Sequence, residues 1–207
     1  MVKWWSKRTG VAGLGKLSRD FFDRDTVTVA RELLGKYLVR MWQGKALAGR
    51  ITETEAYVGR CDKACHAYGY KRTSRTETLF APPGTAYIYL IYGMYHCLNF
   101  VTEPEGEPAA VLLRGLAPVA GTDTMSLNRF GKLPDGLTSY QKKHFLDGPG
   151  KVCGALALTR AQNGLDLCGN ELFLWDDGGP PPPFHTGPRV GIDYAQEARD
   201  FPWRFYV

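Results

Sequence analysis

The chain has 207 residues, of which 44% are hydrophobic and 23% are charged, a composition typical of one globular domain with its own core. It has no run of about 18 apolar residues and no secretory-signal pattern at its start, so we expect neither a membrane span nor export. The net charge of +5 permits a polyanionic partner, and five scattered cysteines favour a reducing compartment over a disulfide framework.

The first half of the sequence predicts a basic tail followed by a helix and two hairpins. Residues 1–16 are expected to be a poorly ordered basic tail, and residues 17–207 a single domain. Residues 25–35 predict a short helix that Asp25 or Thr26 caps and Gly35 ends. Residues 36–59 predict a hairpin with a short glycine-containing turn, and residues 84–101 a second hairpin around Gly93 and Met94.

The second half predicts further strands and two short helices. Residues 109–116 form an apolar strand, residues 122–131 a helix, residues 132–147 a polar loop and residues 148–158 a helix with Pro149 in its first turn. Further strands are expected at 171–175, 189–192 and 203–207, with a proline-rich surface loop at 176–188. These elements predict an α+β domain with a curved, mostly antiparallel β-sheet, surrounding short helices and a protruding hairpin.

The stretch ITETEAY is the first that suggests chemistry. Alternation along a strand predicts that Ile51, Glu53, Glu55 and Tyr57 share one face. If that face is solvated, the motif is an acidic edge strand, which the motif alone favours. If it lines a pocket, one carboxylate can serve as a general base, because burial beside Tyr57 would raise its pKa.

The stretch CDKACH raises the question of a metal. Cys61, Cys65 and His66 could supply three zinc ligands, but no second Cys/His pair follows at the required spacing. We therefore expect no metal here. The two cysteines are interpreted as small packing residues and His66 as a hydrogen-bonding side chain.

The stretch YIYLIYGMYHCLNF concentrates tyrosines around one turn. Tyr87 and Tyr89 are predicted on one strand face, opposite Ile88, and Tyr92 and Met94 at the tip. Tyrosines packed on a neighbouring helix are the default interpretation for any single ring. An exposed ring at the tip would instead be a wedge of the kind that enters the minor groove and unstacks base steps.

Basic residues recur at places suited to a phosphate backbone. Gly148, Gly150 and Lys151 stand at a predicted helix start, where free N–H groups can bind phosphate. Arg114 is conspicuous inside an otherwise apolar strand. Two further clusters could follow a nucleic-acid backbone: Lys71, Arg72 and Arg75, and Lys142, Lys143 and His144.

In combination, several stretches closely resemble the alkyladenine DNA glycosylase family, also called the 3-methyladenine or methylpurine DNA glycosylases. The resemblance covers about residues 17–207 and rests on these motifs: FFDRDTVTVARELLGKYLVR, ITETEAYVG, DKACHAYGYKRTSRTETLF, PPGTAYIYLIYGMYHCLNFV, AVLLRGLAP, DGPGKVCGALAL and the C-terminal RVGI and FPWRFYV. The long extensions of vertebrate members are absent and the proline-rich loop differs, which is typical of a compact, bacterial-type member.

The resemblance implies roles for individual residues. Glu55 corresponds to the general base that activates water, while Arg114 and the Val190 carbonyl lie near that water. Tyr57, His66 and Tyr89 correspond to the pocket that holds the flipped base. Five further residues complete the set: Asn99, which crowds the guanine 2-amino group; Tyr92, which fills the gap in the duplex, with Met94 and Tyr95 beside it; and Lys151, a phosphate contact.

The implied activity is hydrolysis of the N-glycosidic bond of alkylated or deaminated purines, leaving an abasic site. Substrates in such a family include 3-methyladenine, 7-methylguanine, hypoxanthine and ethenoadenine. No cofactor or metal is implied. The implied partner is double-stranded DNA with damaged purines, the expected state is a monomer, and the expected location is the bacterial cytoplasm with its nucleoid, or the nucleus if the source is eukaryotic.

Three alternatives remain open at this point. The chain could be a non-catalytic module that binds lesions or unusual nucleic-acid structures through the tyrosine hairpin, although the intact ETEAY motif argues against that. It could be a zinc hydrolase that uses Cys61, Cys65 and His66. It could also be a bifunctional glycosylase with a Schiff-base lysine, although no lysine has a markedly apolar sequence context.

Overall fold

The computed structural model of the protein describes residues 15–207. Its strands are β1 (Gly15–Lys16), β2 (Tyr37–Trp42), β3 (Lys45–Val58), β4 (Ala86–Ile91), β5 (Tyr95–Val101), β6 (Ala109–Ala120), β7 (Leu172–Asp176), β8 (His185–Gly187) and β9 (Arg204–Tyr206). Its α-helices are α1 (Arg19–Phe22), α2 (Thr26–Glu32), α3 (Thr122–Phe130), α4 (Ser139–Lys143) and α5 (Pro149–Ala155). None of the helices described is long and apolar enough to span a bilayer.

The strands of the described chain form one sheet in the order β1-β7-β2-β3-β6-β5-β4. Every pairing recorded between these strands is antiparallel. β3 is the central element, because its first half pairs with β2, its second half pairs with β9, and β6 runs along its other edge. The predicted α+β fold with a mostly antiparallel sheet is confirmed.

Capping and turn residues place the predicted elements where the sequence indicates them. The Asp25 carboxylate accepts a hydrogen bond from the Thr28 N–H at the start of α2. Gly131 ends α3 with a φ of 65°, a left-handed conformation in which glycine meets no steric penalty. Both hairpins and the helix that begins at Pro149 also form as predicted.

Two predicted elements are wrong. The polar loop at 132–147 contains α4, which begins with a capping box between Thr138 and Gln141. Residues 189–192 are not a strand, because Arg189 is drawn into a buried ion pair. The strand of this region is β8, which lies within the predicted proline-rich loop and pairs with β9.

The predicted N-terminal tail falls almost entirely outside the described residues. Its last two residues, Gly15 and Lys16, form β1 and pair with β7. The prediction for residues 1–14 has no structural counterpart here.

The two faces of the sheet carry different side chains. The main core lies on the face covered by α2, α3 and α5, where Ile88, Leu98 and Phe100 from the tyrosine hairpin are buried. A second cluster lies on the opposite face and contains Tyr87 with the half-buried Tyr57 and Tyr89. β4 therefore has the predicted face of tyrosines, and this face points away from the main core.

Two successive irregularities in the β3–β6 pairing determine which side chains reach that second face. Ile51 pairs with Leu116 and Glu53 with Gly115, so Thr52 is an extra residue on β3. Thr54 then pairs with Leu113, so Arg114 is an extra residue on β6. As a result Ile51 packs into the main core, and the prediction that it shares a face with Glu53, Glu55 and Tyr57 is wrong. A bulge shifts the alternation by one residue.

Gly115 lies between these two bulges and should tolerate no side chain. A Cβ there would lie 2.7 Å from Thr52 Oγ1 and 3.2 Å from Glu53 Cβ. We predict that Gly115→Ala lowers the free energy of unfolding by about 1–3 kcal/mol, measured by urea denaturation. Gly154→Ala is the control, because its Cβ would meet Arg129 at an ordinary 3.9 Å within a helix. Equal stability of the two variants would contradict this role of the bulges.

Candidate active site

Glu55 is a fully buried carboxylate near the middle of the sheet. Its Oε2 accepts a hydrogen bond of 2.7 Å from the Tyr57 hydroxyl, and its Oε1 accepts one of 2.8 Å from the Val190 N–H. Arg114 Nε lies 3.4 Å from Oε1. A carboxylate has about four lone-pair positions, so these three contacts leave room for one more donor, such as a water molecule.

Burial raises the pKa of the Glu55 carboxyl above its ordinary value of 4.5, and the nearby Arg114 cation opposes that rise. The hydrogen bonds from Tyr57 and Val190 also favour the carboxylate form. Burial and the Glu55 charge raise the pKa of the Tyr57 hydroxyl well above 10, so this hydroxyl stays protonated and remains a donor. Burial thus increases the basicity of the Glu55 carboxylate, as a general base requires.

Arg114 joins Glu55 to a second acid. Its Nε donates a hydrogen bond of 3.0 Å to Glu53 Oε1, and the same oxygen accepts a hydrogen bond of 2.6 Å from Arg204 Nε on β9. The two cations therefore offset two neighbouring carboxylates. The arrangement depends on β9, which pairs with β3 at Glu53 and Glu55.

A buried ion pair holds the loop that carries Val190. Arg189 forms a bidentate pair with Asp62 in which both side chains are fully buried. Its guanidinium also donates to the carbonyls of Ala56 and Ala198 and stacks 4.6 Å from the centre of the Tyr57 ring. Sequence reasoning missed both residues of this pair, because a charged residue in a loop gives no signal of burial.

A cavity of about 220 Å³ opens beside Glu55 on the second face of the sheet. Tyr57, Arg114 and Val190, the three residues that contact the Glu55 carboxylate, form part of its wall. The predicted base-pocket residues His66, Tyr89 and Asn99 also line it, together with Tyr87 and the predicted wedge residue Tyr92. The structure thus brings the predicted catalytic and base-pocket residues together.

His66 belongs to an aromatic wall of this cavity. Its Nδ1 lies 3.1 Å from the Tyr87 hydroxyl, and its ring meets Tyr89 edge to face with centres 4.7 Å apart. Burial, aided by the Arg75 cation, lowers the pKa of His66 to about 4. The imidazole is therefore neutral at physiological pH. Asn99 is buried nearby, and its Nδ2 donates a hydrogen bond of 3.1 Å to the Tyr87 carbonyl.

The hairpin tip projects an aromatic ring and a thioether into solvent. Tyr92 is 80% exposed and Met94 65% exposed. Tyr92 and Gly93 both have positive φ angles, 54° and 69°, as a tight hairpin turn requires. A tyrosine in this conformation is uncommon, and such strain is found most often at functional sites.

A second groove, of about 570 Å³, runs between the hairpin and α5. Met94, Tyr95 and Lys151 line it. Gly150 allows the hairpin to approach, because a Cβ there would lie 3.0 Å from Tyr95. Lys151 Nζ donates a hydrogen bond of 2.7 Å to Asp147 Oδ1. The side chain predicted to contact a phosphate is therefore paired with a carboxylate in this structure.

The zinc alternative finds no support in the arrangement of its ligands. Cys61 is exposed and Cys65 is buried, and burial raises the pKa of the Cys65 thiol to about 12. A thiol must lose its proton to bind zinc. Across residues 15–207, three or more potential ligands from His, Cys, Asp and Glu nowhere form a group able to hold a metal ion.

Comparison with known proteins adds independent information. A family model described as methylpurine-DNA glycosylase matches residues 20–207. The chain is 52% identical over 195 residues to a protein of Clostridium perfringens strain SM101, covering 93% of this chain and 95% of that protein. It is 50% identical over 192 residues to one of Alkaliphilus oremlandii, with the same two coverages. Both relatives bear the name "Putative 3-methyladenine DNA glycosylase".

The contribution of the Asp62–Arg189 ion pair to the stability of the protein can be tested by mutation. We predict that Asp62→Asn lowers the free energy of unfolding by about 3–5 kcal/mol, because it leaves a fully buried guanidinium without its counter-charge. Thermal and urea unfolding measure the loss. The control is Asp200→Asn, which removes an exposed partner of Arg199 and should change stability by less than about 1 kcal/mol. Similar losses in both variants would contradict the structural role of Asp62.

Proposed function

The chain belongs to the methylpurine-DNA glycosylase family, and on that premise we propose that it is a monofunctional enzyme of base excision repair. It flips alkylated or deaminated purines out of double-stranded DNA and hydrolyses their N-glycosidic bonds. The substrates include 3-methyladenine, 7-methylguanine, hypoxanthine and ethenoadenine. The product is an abasic site in an unbroken strand.

The observation that supports this proposal most directly is the place of Glu55. It is a buried carboxylate of raised pKa, directly behind the wall of an aromatic cavity. An N-glycosidic bond breaks through an oxocarbenium-like sugar, so a carboxylate next to C1′ stabilises the positive charge and accepts a proton from water. The free lone pair of Glu55 is the place for that water.

The reaction then follows from the neighbours of Glu55. A water molecule loses a proton to the Glu55 carboxylate as its oxygen bonds to C1′, and the bond between C1′ and the purine breaks with its electron pair leaving on the base. Arg114 keeps the carboxylate ionised before this step and assists in orienting the water. The Val190 N–H fixes the carboxylate, while its carbonyl is proposed as a further water ligand.

The aromatic wall suits a flipped purine. Tyr57, His66 and Tyr89 provide ring faces and edges on which a purine can stack, and Asn99 is assigned to crowd the 2-amino group of normal guanine. A purine that carries positive charge after alkylation gains cation–π attraction from electron-rich tyrosines. His66 is neutral, so it adds no positive charge against such a base.

Access to the base requires a wedge and phosphate contacts. Tyr92 at the exposed tip is assigned to fill the gap left in the duplex, with Met94 and Tyr95 beside it in the minor groove. Lys151 is assigned to a backbone phosphate, which would replace Asp147 as its partner. On this proposal the wedge and the phosphate contact favour duplex DNA as the substrate.

The proposal is tested by base release from a labelled duplex that contains one hypoxanthine, and in parallel from methylated DNA. Wild type should release purines, and the strand should break only after alkali. Glu55→Gln should bind the lesion duplex but release base at least about 100-fold more slowly, because it cannot accept a proton. Glu32→Gln, on the exposed face of α2, serves as the matched control and should behave as wild type.

The outcomes separate the alternatives. No release from either DNA by wild type would overturn the proposal and favour a lesion-binding module. Strand cleavage without alkali, together with covalent trapping to DNA by borohydride, would indicate a Schiff-base lysine instead of water attack. Full activity in Glu55→Gln would show that a residue other than Glu55 acts as the general base.

A further inference from the structure

Arg75 makes several contacts with the aromatic wall, although the roles above do not use it. Its guanidinium carbon lies 5.3 Å from the centre of the Tyr89 ring. Its Nη2 lies 3.4 Å from His66 Nε2, and its positive charge lowers the pKa of the Tyr87 hydroxyl against the effect of burial. Three residues that line the cavity, His66, Tyr87 and Tyr89, thus lie close to one exposed cation, Arg75.

These contacts define the state of His66. Arginine offers only donors, so His66 Nε2 is the acceptor and the ring proton lies on Nδ1, facing the Tyr87 hydroxyl. The imidazole is therefore held as one neutral tautomer. The positive charge at this side of the cavity belongs to Arg75.

A purine that stacks on Tyr89 must share the vicinity of that ring with the guanidinium. A neutral purine can stack against the planar guanidinium, which favours flat partners. A purine with a fixed positive charge gains attraction from the tyrosine rings but is repelled by Arg75. For a cationic purine, attraction by the tyrosine rings and repulsion by Arg75 oppose each other. For a neutral purine there is no such charge repulsion.

We propose that Arg75 is a specificity-determining residue that disfavours cationic purines and favours neutral ones in this pocket. This inference rests on the glycosylase function proposed above. It assigns to one side chain part of the balance between alkylated bases such as 3-methyladenine and deaminated bases such as hypoxanthine.

The test compares Arg75→Met with wild type on two duplexes, one containing 3-methyladenine and one containing hypoxanthine. Steady-state kcat/KM is measured for both at about pH 7.5, where an unperturbed histidine, with an ordinary pKa of about 6.5, is already largely neutral. Arg75→Met should raise the ratio of 3-methyladenine to hypoxanthine excision by about threefold or more. Arg75→Lys keeps the charge, so its ratio should remain closer to that of wild type.

Lys71→Met is the matched control. Lys71 is an exposed cation four residues before Arg75, and it does not line the cavity, so its loss removes the same charge from this part of the surface only. It should lower both kcat/KM values by the same factor and leave their ratio unchanged. A ratio does not depend on the active fraction of a preparation, so partial unfolding of a variant cannot imitate the effect.

The remaining outcomes overturn the inference. An equal loss on both duplexes in Arg75→Met would make Arg75 a phosphate contact only. An unchanged ratio, or a shift towards hypoxanthine, would also refute it. These results are distinct from failure of the proposed function, in which wild type itself would release neither base.

Discussion

The site depends on the burial of one carboxylate. Taking an ionised Glu55 out of water costs several kcal/mol unless partners offset that cost. Tyr57, Val190 and Arg114 provide those partners, and each comes from a different element of the sheet or its loops. These partners lower the pKa of the Glu55 carboxyl, but they do not fully cancel the increase that burial causes. The net increase in pKa provides the basicity that water activation needs.

Each partner of Glu55 is in turn held by a longer-range feature. Arg114 reaches Glu55 because it is the extra residue of a bulge on β6. Val190 reaches it because its neighbour Arg189 forms a fully buried ion pair with Asp62. The same guanidinium stacks on Tyr57, so a single buried ion pair steadies two of the three partners. Stability of the fold and geometry of the site are therefore coupled.

Local patterns predicted much of this molecule, and long-range contacts account for what they missed. Alternation and turn residues correctly gave the two hairpins and placed Tyr87 opposite Ile88. Alternation failed at Ile51, because the bulge that shifts its register depends on β6. The strand expected at residues 189–192 is also absent, because Arg189 pairs there with Asp62, which lies 127 residues earlier in the chain. The resemblance to a family supplied the site residues as a set, whereas their convergence on one cavity required the three-dimensional fold.

The pH dependence of single-turnover base release tests the central claim, that Glu55 acts as a buried base of raised pKa. The claim predicts that the wild-type rate falls on acidification with an apparent pKa above 4.5, since the carboxylate form is lost as pH drops through the raised value. Arg114→Gln should move this limb to higher pH, because it removes the cation that lowers that pKa. Arg204→Gln, which removes a charge that pairs with Glu53 only, should move it less. An acidic limb at or below 4.5, or one that Arg114→Gln leaves in place, would contradict the claim.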